Sequence, residues 1–106
     1  METLIGNELD VEVIKLKKAA LILRAINHKL RQQILQLIHQ NGRMTVTEIY
    51  VKLRLEQSVA SQHLAILRKA NFVATERDGK FIFYSVNYQQ IRHVHHTAER
   101  LLSNNY

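Results

Sequence analysis

Between Glu56 and Ala70 the chain reads E-Q-S-V-A-S-Q-H-L-A-I-L-R-K-A, and two kinds of residue alternate there at helical spacing. Ala60, Leu64 and Leu67 recur at i, i+4, i+7, a stripe suited to a core. Ser58, Ser61, Gln62, Ala65 and Arg68 fall on the other side, uncharged through two turns and basic only at the end. A solvated helix face ordinarily carries Glu and Lys, which favour helix and stay soluble. Ser and Gln instead donate and accept hydrogen bonds at base edges, and small residues let a backbone sit deep in a major groove. The chemistry on offer is reversible hydrogen bonding to a nucleic acid. Catalysis is a poorer fit: Ser61 and His63 are two apart, and such residues on a helix point roughly 200° apart, so neither serves as base to the other.

Six histidines are the remaining reactive groups, at positions 28, 39, 63, 93, 95 and 96. His93 and His96 are i, i+3 and share a helix face; with a symmetry mate they can supply imidazoles to zinc, nickel or cobalt. His95 and Glu99, at i and i+4, are a second pair. Arg92 and Arg100 repel any cation there, and solvated histidines on a helix explain the cluster more simply. No metal is assigned, with His93 and His96 the weak candidates. His63 borders the core stripe, which favours a structural role. There is no cysteine, so disulfides, thiolate catalysis and Cys-type zinc sites are excluded. Phosphate loops, dinucleotide turns and paired catalytic carboxylates are lacking, so neither cofactor nor enzymatic activity is expected.

The elements that must position these residues can be followed in order. The 106 residues suffice for one domain, 1–106, with a modest core at 46% hydrophobic content. Net charge is +6 and the pI is about 9.9, which tilts towards a polyanionic partner. No leader peptide or membrane span is read, so a cytoplasmic location is expected. After a lead-in over Met1–Asn7, Asp10 can cap a first helix reaching Ile26, with Val13, Leu16, Ala20 and Leu23 as its stripe. Ile14, Leu21 and Ile22 widen that stripe beyond one small core, which suggests a second copy as partner. Lys15, Lys17 and Lys18 cover the remaining arc.

Asn27 can cap a second helix, His28 to Gln40, with Leu30, Ile34, Leu37 and Ile38 inward; Asn41-Gly42 closes it. Thr45-Val-Thr-Glu48 is a capping box opening a third helix that ends near Leu53, its core contacts Val46, Ile49 and Tyr50 or Leu53. Arg54-Leu55 turns into the fourth helix, so 45–70 is a helix-turn-helix. Phe72–Val86 then changes to strand period around Asp78-Gly79, a hairpin signal in which both turn positions take φ > 0. Arg77 and Lys80 flank its tip, where they can reach phosphate or the minor groove. Asn87 caps a last helix with Ile91, Val94, Ala98, Leu101 and Leu102 apolar, expected to lie beside the first. The fold class is thus mainly α with a β-hairpin wing, a winged helix-turn-helix in the order α-α-α-α-β-β-α. Its parts are dimerisation helices at 9–26 and 87–103 and a wing at 72–86.

The segment Q-S-V-A-S-Q-H-L-A-I-L-R-K-A-N-F-V, followed by E-R-D-G-K and F-Y-S, resembles the ArsR/SmtB family of winged-helix repressors across nearly the whole chain. The resemblance implies a homodimer built on the first and last helices, bound to an inverted-repeat operator and released by an effector, most often a metal ion. It implies that Gln57, Ser58, Ser61 and Gln62 face bases, while Arg77 and Lys80 hold backbone. Lys52, Arg54, Arg68 and Lys69 are further phosphate candidates. The family's metal sites do not carry over. Thr45 and Thr47 stand where a Cys-x-Cys begins the third helix in many sensors. Tyr88, Gln90, Leu101 and Asn104 stand where zinc sensors carry last-helix ligands. Two other readings stay open: a winged-helix protein-interaction module, and a sequence-indifferent architectural DNA binder.

Overall fold

The computed structural model describes residues 12–103. They form α1 (Val13–Ile26), α2 (Lys29–Asn41), β1 (Met44–Thr45), α3 (Val46–Leu53), α4 (Gln57–Lys69), β2 (Val73–Asp78), β3 (Phe81–Val86) and α5 (Tyr88–Leu102). Asp10, the expected first cap, lies outside the described residues. So do Met1–Asn7. None of the described helices is long and apolar enough to cross a membrane.

The core forms where α2, α3, α4 and the sheet converge. Ile34, Ile38, Ile49, Leu64, Leu67, Phe72 and Val73 are its largest fully buried side chains, and no polar side chain is buried among them. The α4 stripe of Ala60, Leu64 and Leu67 is wholly inside, as its spacing requires. On α2, Leu35 is buried in addition to the expected Ile34, Leu37 and Ile38, while Leu30 packs against the edge of the cluster.

The first helix meets this core differently from expectation. Leu16 and Ala20 are exposed, and the residues that touch the core are Ile22, Ala25 and Ile26 at its C-terminal end. Apolar residues lie on every side of this helix, interspersed with Lys15, Lys17, Lys18 and Arg24, so no single face stands out for periodicity to select. Its orientation follows from where α2 and α4 offer a surface. The expected Asn27 cap of α2 is also corrected. Asn27 ends α1, its N–H bonding to Leu23 O, and His28 is the N-cap, with no side-chain bond. Side chains from the first turn of α2 reach back instead. Arg31 Nη1 donates to Ala25 O at 3.0 Å and Gln32 Nε2 to Ile26 O at 2.8 Å, satisfying carbonyls that the end of α1 leaves open.

The helix-turn-helix is pinned at each junction. The capping box forms as expected: Glu48 N–H donates to Thr45 Oγ1 at 3.2 Å and Thr45 N–H to Glu48 Oε1 at 2.9 Å. Helix α3 ends with Arg54 at φ 55°, Leu55 N–H bonding to Tyr50 O and Arg54 N–H to Val51 O. Helix α4 ends in the same Schellman pattern, with Asn71 at φ 67°, Phe72 N–H on Leu67 O and Asn71 N–H on Arg68 O. Both left-handed positions lack glycine, at a cost of about 1–2 kcal/mol each. The hydrogen bonds and the Phe72–Leu67 packing offset that strain.

The sheet has three strands, ordered β1-β3-β2 and antiparallel throughout. The two-residue β1, unforeseen from the sequence, pairs Met44 with Tyr84 and Thr45 with Phe83. The hairpin turn lies one residue later than expected. Asp78 pairs with Phe81, so the central residues are Gly79 and Lys80 rather than Asp78 and Gly79. Of these only Gly79 has positive φ (63°), which fits a turn with glycine at its first central position. Lys80 then needs no left-handed backbone, and Asp78 remains in the strand.

At the C-terminal end, Asn87 caps α5 as expected, its Oδ1 accepting from Gln90 N–H at 3.4 Å. Asn87 Nδ2 also donates to Asn71 O, and Gln90 Nε2 to Ala70 O, both at 3.0 Å. Ile91 and Val94 rest on the core. Helix α5 has no buried residue, and within the chain it makes no extended contact with α1.

Candidate nucleic-acid interface

With Ala60, Leu64 and Leu67 turned inward, the outer half of α4 is fixed. Residues seven apart return within about 20° of the same side. Gln57, Ser61 and Arg68 therefore form one column, and Ser58, Gln62 and Lys69 a second, with the small Ala65 between. All seven are exposed. Helix α4 contains no acidic residue. Among the described residues, none of Gln57, Ser58, Ser61 and Gln62 has a side-chain hydrogen bond within the chain, so their donors and acceptors face outward uncommitted. Each column ends on a cation, an arrangement in which neutral groups meet base edges and the C-terminal end meets phosphate.

Cations flank this face. Lys52 and Arg54 are exposed at the end of α3 and the turn after it. Arg77 and Lys80 are exposed on the wing, and Lys80 Nζ lies 5.4 Å from the centroid of the Phe81 ring. In the β2–β3 register Arg77 stands opposite Ile82, on the sheet face that carries Val73 and Val86 into the core.

A further wing residue escaped the sequence reading. Arg43 places its guanidinium 3.9 Å from the Phe83 ring centroid and 3.0 Å from the Asp78 carboxylate. It thereby ties the segment before β1 to the tip of the wing. Residues 35 apart in sequence become neighbours only through the register of the three strands, so no local pattern announces them. Both partners are half-exposed, which limits the ion pair to about 0–1 kcal/mol. Its main effect is to neutralise Asp78 beside two wing cations.

His63 takes the structural position expected of it. Partly buried, it meets His28 with ring centroids 5.0 Å apart. Burial lowers its pKa below the ordinary histidine value, and His28 and Arg31 lower it further. His93 and His96 are exposed on α5, and His95 Nε2 lies 3.3 Å from Glu99 Oε1. The described residues bring no group of three or more metal-binding side chains together.

Three comparisons bear on this geometry. The sequence model described as bacterial regulatory protein, arsR family, matches residues 28–75. An uncharacterised HTH-type transcriptional regulator of Methanocaldococcus jannaschii is 35% identical over 80 residues, 76% of this chain and 90% of that protein. The chain belongs to the arsR family of bacterial regulatory proteins. The transcriptional activator HlyU of Vibrio cholerae is 33% identical over 84 residues, covering 79% of this chain and 77% of HlyU. The crystal structure of the transcriptional repressor PagR of Bacillus anthracis superimposes with a TM-score of 0.60 at 33% identity, over 72% of this chain and 86% of PagR. The protein is therefore a winged-helix, DNA-binding transcriptional regulator and not an enzyme. Regulators of this arsR family typically act as dimers.

Three of the positions named above for metal ligands, Thr45, Tyr88 and Gln90, have other work in this arsR member. Thr45 Oγ1 accepts in the capping box. Tyr88 Oη is 2.7 Å from His39 Nδ1, tying α5 to α2. Gln90 binds the end of α4. Thr47 and Leu101 are exposed, and Asn104 lies outside the described residues.

Proposed function

We propose that the protein is a homodimeric, cytoplasmic repressor that binds an inverted-repeat operator and releases it in response to an effector. Gln57, Ser58, Ser61 and Gln62 read base edges; Arg68, Arg77 and Lys80, with Lys52, Arg54 and Lys69, hold phosphates. The observation that carries this reading is the outer half of α4: uncharged, uncommitted hydrogen-bonding side chains in two columns, each closed by a cation. The two copies would present their recognition helices to successive major grooves about 34 Å apart. Support for dimerisation through α1 and α5 comes from their apolar residues left outside: Ile14, Leu16 and Leu21 on α1, Leu101 and Leu102 on α5. Repression is favoured by relatives named as repressors, among them PagR and SdpR, whereas HlyU is named an activator.

The test is a fluorescence anisotropy titration of a labelled duplex from the gene's own upstream region, at two salt concentrations, with random duplex as competitor. Binding that survives competition is expected. Equal competition by random duplex, with steep salt dependence, would favour sequence-indifferent binding instead. A reporter driven by the bound promoter, with and without the protein, gives the sign of regulation.

A further inference from the structure

On the flank of α4 between its core stripe and its outer columns, the ring of His63 lies against that of His28, the planes tilted by 52°. Nδ1 of both rings and Nε of Arg31 are buried and have no hydrogen-bond partner. Buried polar atoms are nearly always paired, so three orphans in one place are unusual. The influences on His63 all have the same sign. His63 is desolvated, with His28 and Arg31 acting on it in turn. His28 is the N-cap of α2 and makes no side-chain cap bond. Arg31 is held in place by the Ala25 carbonyl. On α1 Arg31 also donates to the Arg24 carbonyl, and the helix's charged side chains, Lys15, Lys17, Lys18 and Arg24, form no bond with either ring among the described residues. Among the described residues the charged groups of α3 (Glu48, Lys52) and β2 (Glu76, Arg77, Asp78), which also pack on α4, form no ion pair or hydrogen bond with either ring. Ion pairs lie elsewhere, at Lys15–Glu12, Arg43–Asp78 and His95–Glu99.

Desolvation and the neighbouring His28 and Arg31 favour the neutral form of His63 in this site. We propose that His63, packed on the ring of His28, is a proton-sensitive latch: the neutral His63 ring holds α4 against the start of α2 in its DNA-binding position, and its protonation releases it. His63 is thus a positioning residue, next in the chain to Gln62, so that moving one moves the other. The inference rests on α4 being the recognition helix.

The sign follows from linkage. A released histidine titrates near 6.5, and His63 in the packed site below that. Above about pH 6.5 both states are neutral and the latch is closed. As pH falls below that value the released state takes up a proton that the packed state refuses. Packing then weakens by at most about tenfold per pH unit for one proton. Added positive charge elsewhere on the protein acts in the opposite direction, since it strengthens attraction to DNA. A net loss of affinity on mild acidification is therefore diagnostic.

The experiment uses a labelled duplex enriched by the protein from a random-sequence pool at pH 8. Anisotropy at fixed ionic strength is followed from pH 8 to 5.5 for wild type, His63→Gln and His28→Gln, each relative to its own value at pH 8. Wild type is expected to lose affinity progressively from about pH 6.5 to 5.5, by no more than about tenfold, and both variants to lose none. The wild-type His63 ring, followed by NMR, should titrate below 6.5, with α4 amide shifts tracking it. Variants that lose affinity as wild type does, a wild type that gains affinity, or a His63 ring titrating at 6.5 or above would overturn the latch. Should a variant fail to fold by circular dichroism, the wild-type titration decides alone. If no duplex is enriched at pH 8, the reading of α4 fails, and the α4 amide shifts still decide the latch: tracking supports it and invariance refutes it.

Discussion

Between α2 and α4, apolar residues at helical spacing finish wholly inside: Ile34, Ile38, Ile49, Leu64 and Leu67 are all at 0% exposure. On α1 and α5, residues of the same types finish about half outside, with Leu16 at 53%, Leu21 at 56% and Leu102 at 52%. The sequence signal is alike in the two regions. What differs is the second surface: the chain supplies one for α2–α4 from its own sheet, while among the described residues the terminal helices meet the core through the end of α1 and the Ile91–Val94 edge of α5. Helical periodicity therefore predicts an apolar face, and burial follows only where the chain folds something onto it. The remaining apolar surface suits a second copy, the arrangement in which two recognition helices are presented together.

Substitutions can sharpen that contrast. Leu64→Ala removes a fully buried side chain and is expected to cost about 2–5 kcal/mol in urea denaturation. Leu21→Glu should change the protomer's stability by within about 0.5 kcal/mol. It should also raise the dimer dissociation constant by about tenfold, or about 1.4 kcal/mol, in sedimentation equilibrium. If Leu21→Glu leaves self-association intact, α1 is not part of the dimer face. Thr45→Ala removes the reciprocal cap of α3 and is expected to cost about 1 kcal/mol in the same denaturation assay. Smallest is Lys80→Ala on the wing. It should weaken operator and random duplex alike and reduce the slope of log affinity against log salt by about 0.9, the loss of one phosphate contact. A selective effect on the operator would mean that the wing reads sequence.

What was legible beforehand divides along the same physical line. Caps, turns and stripes are local, so Thr45–Glu48, Asn87 and the Ala60–Leu64–Leu67 stripe could be read from spacing alone. The winged-helix order followed from them. Features set by register or by long-range contact were not legible. The two-residue β1 is too short to carry a strand period, and Arg43 meets Asp78 and Phe83 only once three strands are aligned. The His28–His63 contact needs the packing of α4 on the start of α2. The one-residue displacement of the hairpin turn shows a local limit as well. Asp-Gly announces a turn, but whether glycine occupies its first or second central position is decided by the pairing of Asp78 with Phe81. On α4 itself the outward residues were legible because they are what remains once the core stripe is assigned. The contacts with bases proposed for them are a property of the complex.

That division of labour on α4 and the wing is tested most directly by one ratio, the affinity for the enriched duplex over that for random duplex, measured for wild type and Gln62→Ala at the same salt concentration. Base reading by the outer columns of α4 predicts that Gln62→Ala lowers the ratio by about 1–3 kcal/mol of discrimination, while binding to random duplex changes little. A ratio equal to wild type would contradict it and move sequence recognition off this face of the helix.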